Sequence, residues 1–170
     1  MKRKLSRLML LGLLLLTSAS VKAVPEKEQV LRLLEGRHWE LREGVFQRLG
    51  SGTDQVLREI ADDPGLINYL RFRALEALSL YDNEATARHL ERLGKSPDPS
   101  FARRSFSALS RGFSKTQPER VRKAGISLLT NPDAHVRIEA ARAIRSLDEP
   151  AFQSFLREES EAWVRMEAKK

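Results

Sequence analysis

Residues 135–147, HVRIEAARAIRSL, place Val136, Ala140, Ala143, Ile144 and Leu147 at i, i+4, i+7, i+8 and i+11. An α-helix turns those positions to one side, so this stretch commits its part of the chain to a helix with an apolar stripe. Arg137, Glu139, Arg142 and Arg145 lie between them and read as the solvent side. Asn131-Pro132-Asp133 leads in, with the aspartate placed to accept hydrogen bonds from the free N–H groups of the first turn. One such helix cannot bury its own stripe. Weaker copies of it occur before and after, so the chain reads as an array of one helical unit.

Residues 26–34 bring Val30, Leu33 and Leu34 to one face, entered through Pro25 and closed by Gly36, which makes 24–36 an N-terminal capping helix. The next unit pairs 38–49, with Leu41, Val45 and Leu49 as its stripe, with 53–61 beyond Gly50-Ser51-Gly52. Residues 66–80, with Leu70, Ala74, Ala77 and Leu78, pair with 83–93, where Ala87, Leu90 and Leu93 precede Gly94. Residues 100–109 (Phe101, Ser105, Ala108, Leu109) pair with a helix opened by Pro118 (Val121, Ala124, Gly125, Leu128). The helix at 135–147 pairs with one opened by Pro150 (Phe152, Phe155, Leu156), and Trp163 to Ala168 begins a further unit. No strand pattern appears, and all seven prolines fall outside the helix interiors, so local signals agree on an all-α fold.

Setting Leu41, Leu70, Phe101, Val136 and Val164 in register gives spacings of 29, 31, 35 and 28 residues, room for two helices and two turns. Four places on stand Val45, Ala74, Ser105, Ala140 and Ala168, mostly small, which lets neighbouring helices approach closely. Ser96-Pro97-Asp98-Pro99-Ser100-Phe101 matches Asn131-Pro132-Asp133-Ala134-His135-Val136 landmark for landmark. At these residues the chain resembles the HEAT-repeat family, in particular its short bacterial class related to bilin-lyase repeats. The pattern of that class is Asp-Pro-x-x-x-Val-Arg-x-x-Ala-Ala-x-Ala-Leu, followed by a second helix opened by proline. The resemblance covers 37–170, is best kept in the fourth unit, and is degenerate in the first and third.

The resemblance implies a right-handed α-solenoid of about four helix pairs plus a partial fifth, usually a protein-binding surface. It also implies a ladder between units, made by the arginine of each first helix and the aspartate of the preceding turn. Here that ladder would use Arg71, Arg137 and Arg165 with Asp63, Asp98 and Asp133. Ala102 interrupts it in the third unit, where Arg103 or Arg104 would have to substitute.

The chain opens with Lys2, Arg3, Lys4 and Arg7 ahead of an apolar run from Leu8 to Leu16, then small and polar residues ending Val21-Lys22-Ala23. That order reads as a secretory signal peptide over 1–23, cut before Val24 or, alternatively, after Ala19. The apolar run is well short of the roughly 20 residues a membrane span needs, so no membrane span is expected after cleavage. The net charge of +7 (30 basic and 23 acidic residues) suggests a polyanion partner until the signal is set aside. Residues 1–23 hold five of the basic residues and none of the acidic ones, which leaves +2 on the rest. Such a charge gives no support to nucleic-acid binding. With no cysteine there is neither a disulfide nor a lipid-bearing cysteine, so an exported, periplasmic or secreted domain relies on packing alone.

His38, His89 and His135 stand in different units, unpaired at i+3 or i+4, and no metal site is expected. No Gly-rich phosphate loop, Gly-x-Ser-x-Gly elbow or cysteine nucleophile is present. The expectation is a protein without catalysis, cofactor or metal. Candidate partner-binding residues are cations of the second helices: Arg88 and Arg92, with Lys95, and Arg120 and Arg122, with Lys123. In HEAT-type arrays those helices line the concave face, where a row of arginines would suit an acidic protein partner. A bilin-lyase-like, chromophore-binding role is the alternative that the resemblance brings. The short C-terminal unit, with Trp163, Val164, Met166 and Ala168, is expected either to self-associate or dock on a partner, or to be continued by a longer chain.

Overall fold

The computed structural model describes residues 24–170, so the signal read in 1–23 lies outside the described residues. Ten helices follow in order: α1 (Lys27–Leu34), α2 (Glu43–Gln47), α3 (Thr53–Asp62), α4 (Asn68–Leu78), α5 (Glu84–Gly94), α6 (Pro99–Phe113), α7 (Pro118–Leu128), α8 (Ala134–Leu147), α9 (Glu149–Glu158) and α10 (Ala162–Ala168). Among the described residues there is no strand.

The helix starts are set by their caps. Asn83 Oδ1 accepts from Thr86 N at 2.9 Å, Asp98 Oδ1 from Ser100 N at 2.8 Å, Asp133 Oδ1 from His135 N at 2.9 Å and Asp148 Oδ1 from Ala151 N at 3.0 Å. Each cap satisfies an N–H that the helix leaves without a partner, worth about 1 kcal/mol. Pro99 and Pro118 stand at the first helical position, where no N–H is needed.

Contacts between helices recur with a period of two elements. α4 lies against α6, α6 against α8 and α8 against α10, while α3 packs on α4, α5 on α6, α7 on α8 and α9 on α8. Helix α1 covers α3 and α4. The small residues of the register sit in the first-helix row, and Ala74, Ser105, Ala140 and Ala168 are all 0% exposed. Small residues at a crossing permit the short end of the roughly 8–10 Å range of interaxial distance.

Helix α8 is buried more widely than its stripe predicts. Val136 and Ala140 join the larger apolar cluster, whereas Ile138, Ala141 and Ile144 join a second one with Phe152, Phe155, Val164 and Ala168. A helix with neighbours on two sides needs two apolar faces, and the second runs between the arginines.

Two helices differ from the sequence expectation. The helix expected over 38–49 is only the five residues of α2, and Phe46 is its buried residue; Leu41, Val45 and Leu49 are half-buried. Trp39 explains this: its indole N–H donates to the Leu33 carbonyl at 2.8 Å and holds the preceding segment against the end of α1. Helix α6 runs beyond Leu109 to Phe113, which is fully buried. Gly112 lets α6 come close to the end of α4. A Cβ there would lie 2.6 Å from the Ser79 carbonyl oxygen.

Candidate functional site

The second helices α5 and α7 are tied side by side at one end. Arg120, in the first turn of α7, donates to both carboxylate oxygens of Glu84 at 2.7 and 2.8 Å, and its Nε lies 3.2 Å from Glu91 Oε1. Arg120 pulls the Glu84 carboxyl below its ordinary range, and Glu84 raises Arg120 in return. Past this clamp a cleft of about 710 Å³ lies between the two helices. Its floor is Leu90, Phe106, Leu109, Ala124 and Leu128, with α6 beneath, and Gly94 leaves one wall bare. A Cβ at Gly94 would meet nothing within 4 Å.

Four cations, Arg88, Arg92, Lys95 and Lys123, and one carboxylate, Glu91, border the cleft. Glu91 is engaged by Arg120. Arg92 leans back onto α3, with Nη2 at 2.9 and 2.8 Å from the two oxygens of Asp62. Among the described residues the one ion pair of Arg88 is with Glu84, at 3.7 Å, and its side chain is highly exposed. Lys95 and Lys123 enter no ion pair among the described residues. The rim is therefore positive and only partly neutralised, over an apolar floor.

The four arginines nominated from sequence thus divide. Arg88 and Arg92 border the cleft, but Arg120 clamps α7 to α5. Arg122 pairs with Glu119 at 2.9 Å and with Asp148, the cap of α9, at 3.1 Å. Arg122 holds the Glu119 carboxyl below its ordinary range. These two guanidiniums bind the array together. A bidentate arginine–carboxylate fork fixes geometry in a way a lysine does not. Of the floor residues from the first helix α6, Leu109 belongs to the expected stripe and Phe106 does not, and neither carries a sequence signal of lying under a cleft.

His89, behind the rim, is buried between α5 and α3. Its Nδ1 lies 3.8 Å from Asp62 Oδ2 and 3.3 Å from Arg92 Nη2, and Nε2 has no partner among the described residues. Burial, with Arg92 and Arg58 adding to it against the opposing pull of Asp62, lowers its pKa to about 4. The ring is neutral at neutral pH. Among the described residues no group of three or more His, Cys, Asp or Glu is placed to hold a metal ion.

The ladder residues take other partners than the resemblance implies. Asp98 and Asp133 are spent as caps, and Asp63 pairs with Lys27 at 2.6 Å. The arginines reach backbone carbonyls at or beside the turns: Arg71 that of Ala61, in the last turn of α3, at 3.0 Å, Arg137 that of Asn131 at 2.9 Å, and Arg165 that of Glu159. An aspartate that already accepts two N–H groups at a helix start is poorly placed for a guanidinium one turn away. Arg137 also links the last two units, reaching Glu159 at 2.6 Å and Glu161 at 2.8 Å. Arg137 keeps the Glu159 carboxyl below its ordinary range. In the third unit Arg104 stacks on Phe72 at 4.5 Å and Arg71 on Phe101 at 4.3 Å, so cation–π contacts stand where Ala102 leaves a gap.

A second repeat appears in the turns themselves. Asp63 Oδ1 accepts from Gly65 N, Ser96 Oγ from Asp98 N, Asn131 Oδ1 from Asp133 N, and Glu159 Oε1 from Glu161 N, at 2.8 to 3.2 Å. The same i to i+2 bond thus precedes α4, α6, α8 and α10. Four residue types make it, which hides it from alignment by identity.

At the far end, α10 buries Val164 and Ala168 against α8, while Trp163 and Met166 remain 40% and 63% exposed. Trp163 meets His135 edge-on at 5.6 Å. Among the described residues no helix is long and apolar enough to cross a membrane. Comparison with protein families, with curated proteins and with solved structures gives no match to this chain.

Proposed function

We propose that the chain is an exported, non-enzymatic scaffold, a right-handed α-solenoid of HEAT type, and that it binds another protein through the cleft between α5 and α7. The row α4, α6, α8, α10 with small residues at its crossings, and the turn bond repeated before each of those helices, support the solenoid. The three-part leader supports export to the periplasm or beyond. The observation that carries the binding role is the cleft itself, about 710 Å³ with an apolar floor and a charged rim, the usual build of a recognition site. Its mechanism is presentation: stacked pairs hold α5 and α7 at fixed separation, and a few anchors in the cleft supply most of the binding energy.

Gly94→Phe tests this, because the added ring enters the cleft without displacing any atom within 4 Å of its Cβ. The tagged protein and this variant are each recovered from envelope fractions after in-cell cross-linking. A partner captured by the wild type and lost from an equally stable variant is the expected result. Equal capture by both would place recognition elsewhere on the surface.

A further inference from the structure

We infer that the occupant of the α5–α7 cleft is an acidic amphipathic segment of another protein, with carboxylates for the rim and apolar side chains for the floor. This rests on the proposed binding role and narrows it to one chemistry. Arg88 and Arg92, at i and i+4 on α5, and Lys95, the residue that caps its C-terminal end, together border one edge of the cleft, and Lys123 borders it from α7. The single carboxylate on that rim, Glu91, is taken by Arg120 and Arg92 is partly taken by Asp62. The charge left for a ligand sits on Arg88, Lys95 and Lys123.

The remainder of the rim is Ser127, whose hydroxyl is turned back to the Ala124 carbonyl at 2.7 Å. Below the cations the cleft is lined by Leu90, Phe106, Leu109 and Leu128. A polyanion without apolar groups, such as nucleic acid or a lipid headgroup, would use the rim and leave that floor unfilled. A basic segment, the leader over 1–23 included, would set like charges together, which costs affinity and slows encounter. An acidic segment with apolar residues on the adjoining face satisfies both layers, and its glutamates at i, i+4 and i+7 would match the cations along that edge.

The test is a titration of the purified protein with synthetic fluorescent peptides. One carries glutamates at i, i+4 and i+7 with leucines on the adjoining face, and a second has lysine at each glutamate. Anionic vesicles and a phosphate polymer serve as competitors. Expected are binding of the acidic peptide alone, loss of about tenfold or more in affinity in Lys95→Glu/Lys123→Glu, and loss of binding in Gly94→Phe. All three proteins should share one thermal transition. The inference is overturned if the lysine peptide binds as well, if the charge-reversed variant binds unchanged, or if vesicles or polyphosphate displace the peptide at lower charge concentration. Should Gly94→Phe still abolish capture of the cellular partner while charge reversal does not, the cleft stands as the binding site and the acidic class falls. Should Gly94→Phe leave both peptide and partner bound, the cleft itself is refuted.

Discussion

Gly94, Gly112 and Gly125 all lie within helices, yet a Cβ on each enters a different environment, which gives a graded prediction. At Gly112 the new carbon would lie 2.6 Å from the Ser79 carbonyl oxygen and 3.1 Å from Ser79 Cα, both backbone at the end of α4. At Gly125 it would meet Ile144 Cδ1 at 2.8 Å and Phe106 Cζ at 3.0 Å, and at Gly94 nothing within 4 Å. Alanine gains up to about 1 kcal/mol over glycine in a helix interior. Overpacking costs about 1–3 kcal/mol, and the upper part applies where backbone is the obstacle. Gly112→Ala is therefore expected to lose about 1–2 kcal/mol net. In Gly125→Ala the isoleucine terminus rotates aside and the two effects nearly cancel. Gly94→Ala should gain about 0.5 kcal/mol, since it closes its helix rather than lying mid-way. For a domain of this size that places the Gly94 and Gly112 variants roughly 5 °C or more apart in Tm. Thermal and urea unfolding monitored by circular dichroism measure it. A Gly112→Ala protein as stable as the wild type would show that α6 is not seated on the end of α4. A destabilised Gly94→Ala would show that the cleft wall is packed.

His89 predicts a pH dependence. Its pKa near 4 in the fold against 6.5 unfolded means that the unfolded chain takes up a proton first as pH falls. Its contribution is complete above pH 6.5 and drains away between there and pH 4, by at most about 3 kcal/mol. His89→Leu should flatten urea midpoints over that window relative to wild type, and parallel curves would refute the burial argument. Ser105 Oγ is buried with no partner among the described residues, at a position that is alanine in the units on both sides. Ser105→Ala should leave stability unchanged or raise it by about 1 kcal/mol; a loss would mean that the hydroxyl is bonded. Arg137→Met breaks the link to Glu159 and Glu161 and should cost about 2 kcal/mol, seen as a lower urea midpoint. Hydrogen exchange in that variant should quicken first in α10, and unchanged exchange there would show that Arg137 does not hold the last unit.

The helices were legible wherever a cap and a period coincided. Asp98 and Asp133 announce α6 and α8 by the chemistry that caps them, and the small residues at 74, 105, 140 and 168 mark the row where first helices meet. Legibility failed where a contact outside a helix's own period overrides its local pattern. Trp39 reaching Leu33 leaves only five residues of the expected 38–49 helix, and nothing local distinguishes Gly112, which seats a helix, from Gly94, which ends one. The arginines illustrate the same limit at the site. Arg88 and Arg120 look alike in sequence, but Glu84 and Glu91 lie within reach of Arg120 only after α5 and α7 are set side by side. Charge is written in the sequence, whereas which charges remain unspent is decided by packing.

The most direct test of the cleft as the working surface is site-specific photo-cross-linking in the living cell. A photoreactive residue replaces Ser127 on the lip of the cleft, Gln153 on the exposed side of α9, or Met166 on the outer face of α10. The account predicts a discrete adduct with another protein from position 127, and none from 153 or 166. Adducts from 166 with none from 127 would contradict it and assign recognition to the C-terminal face.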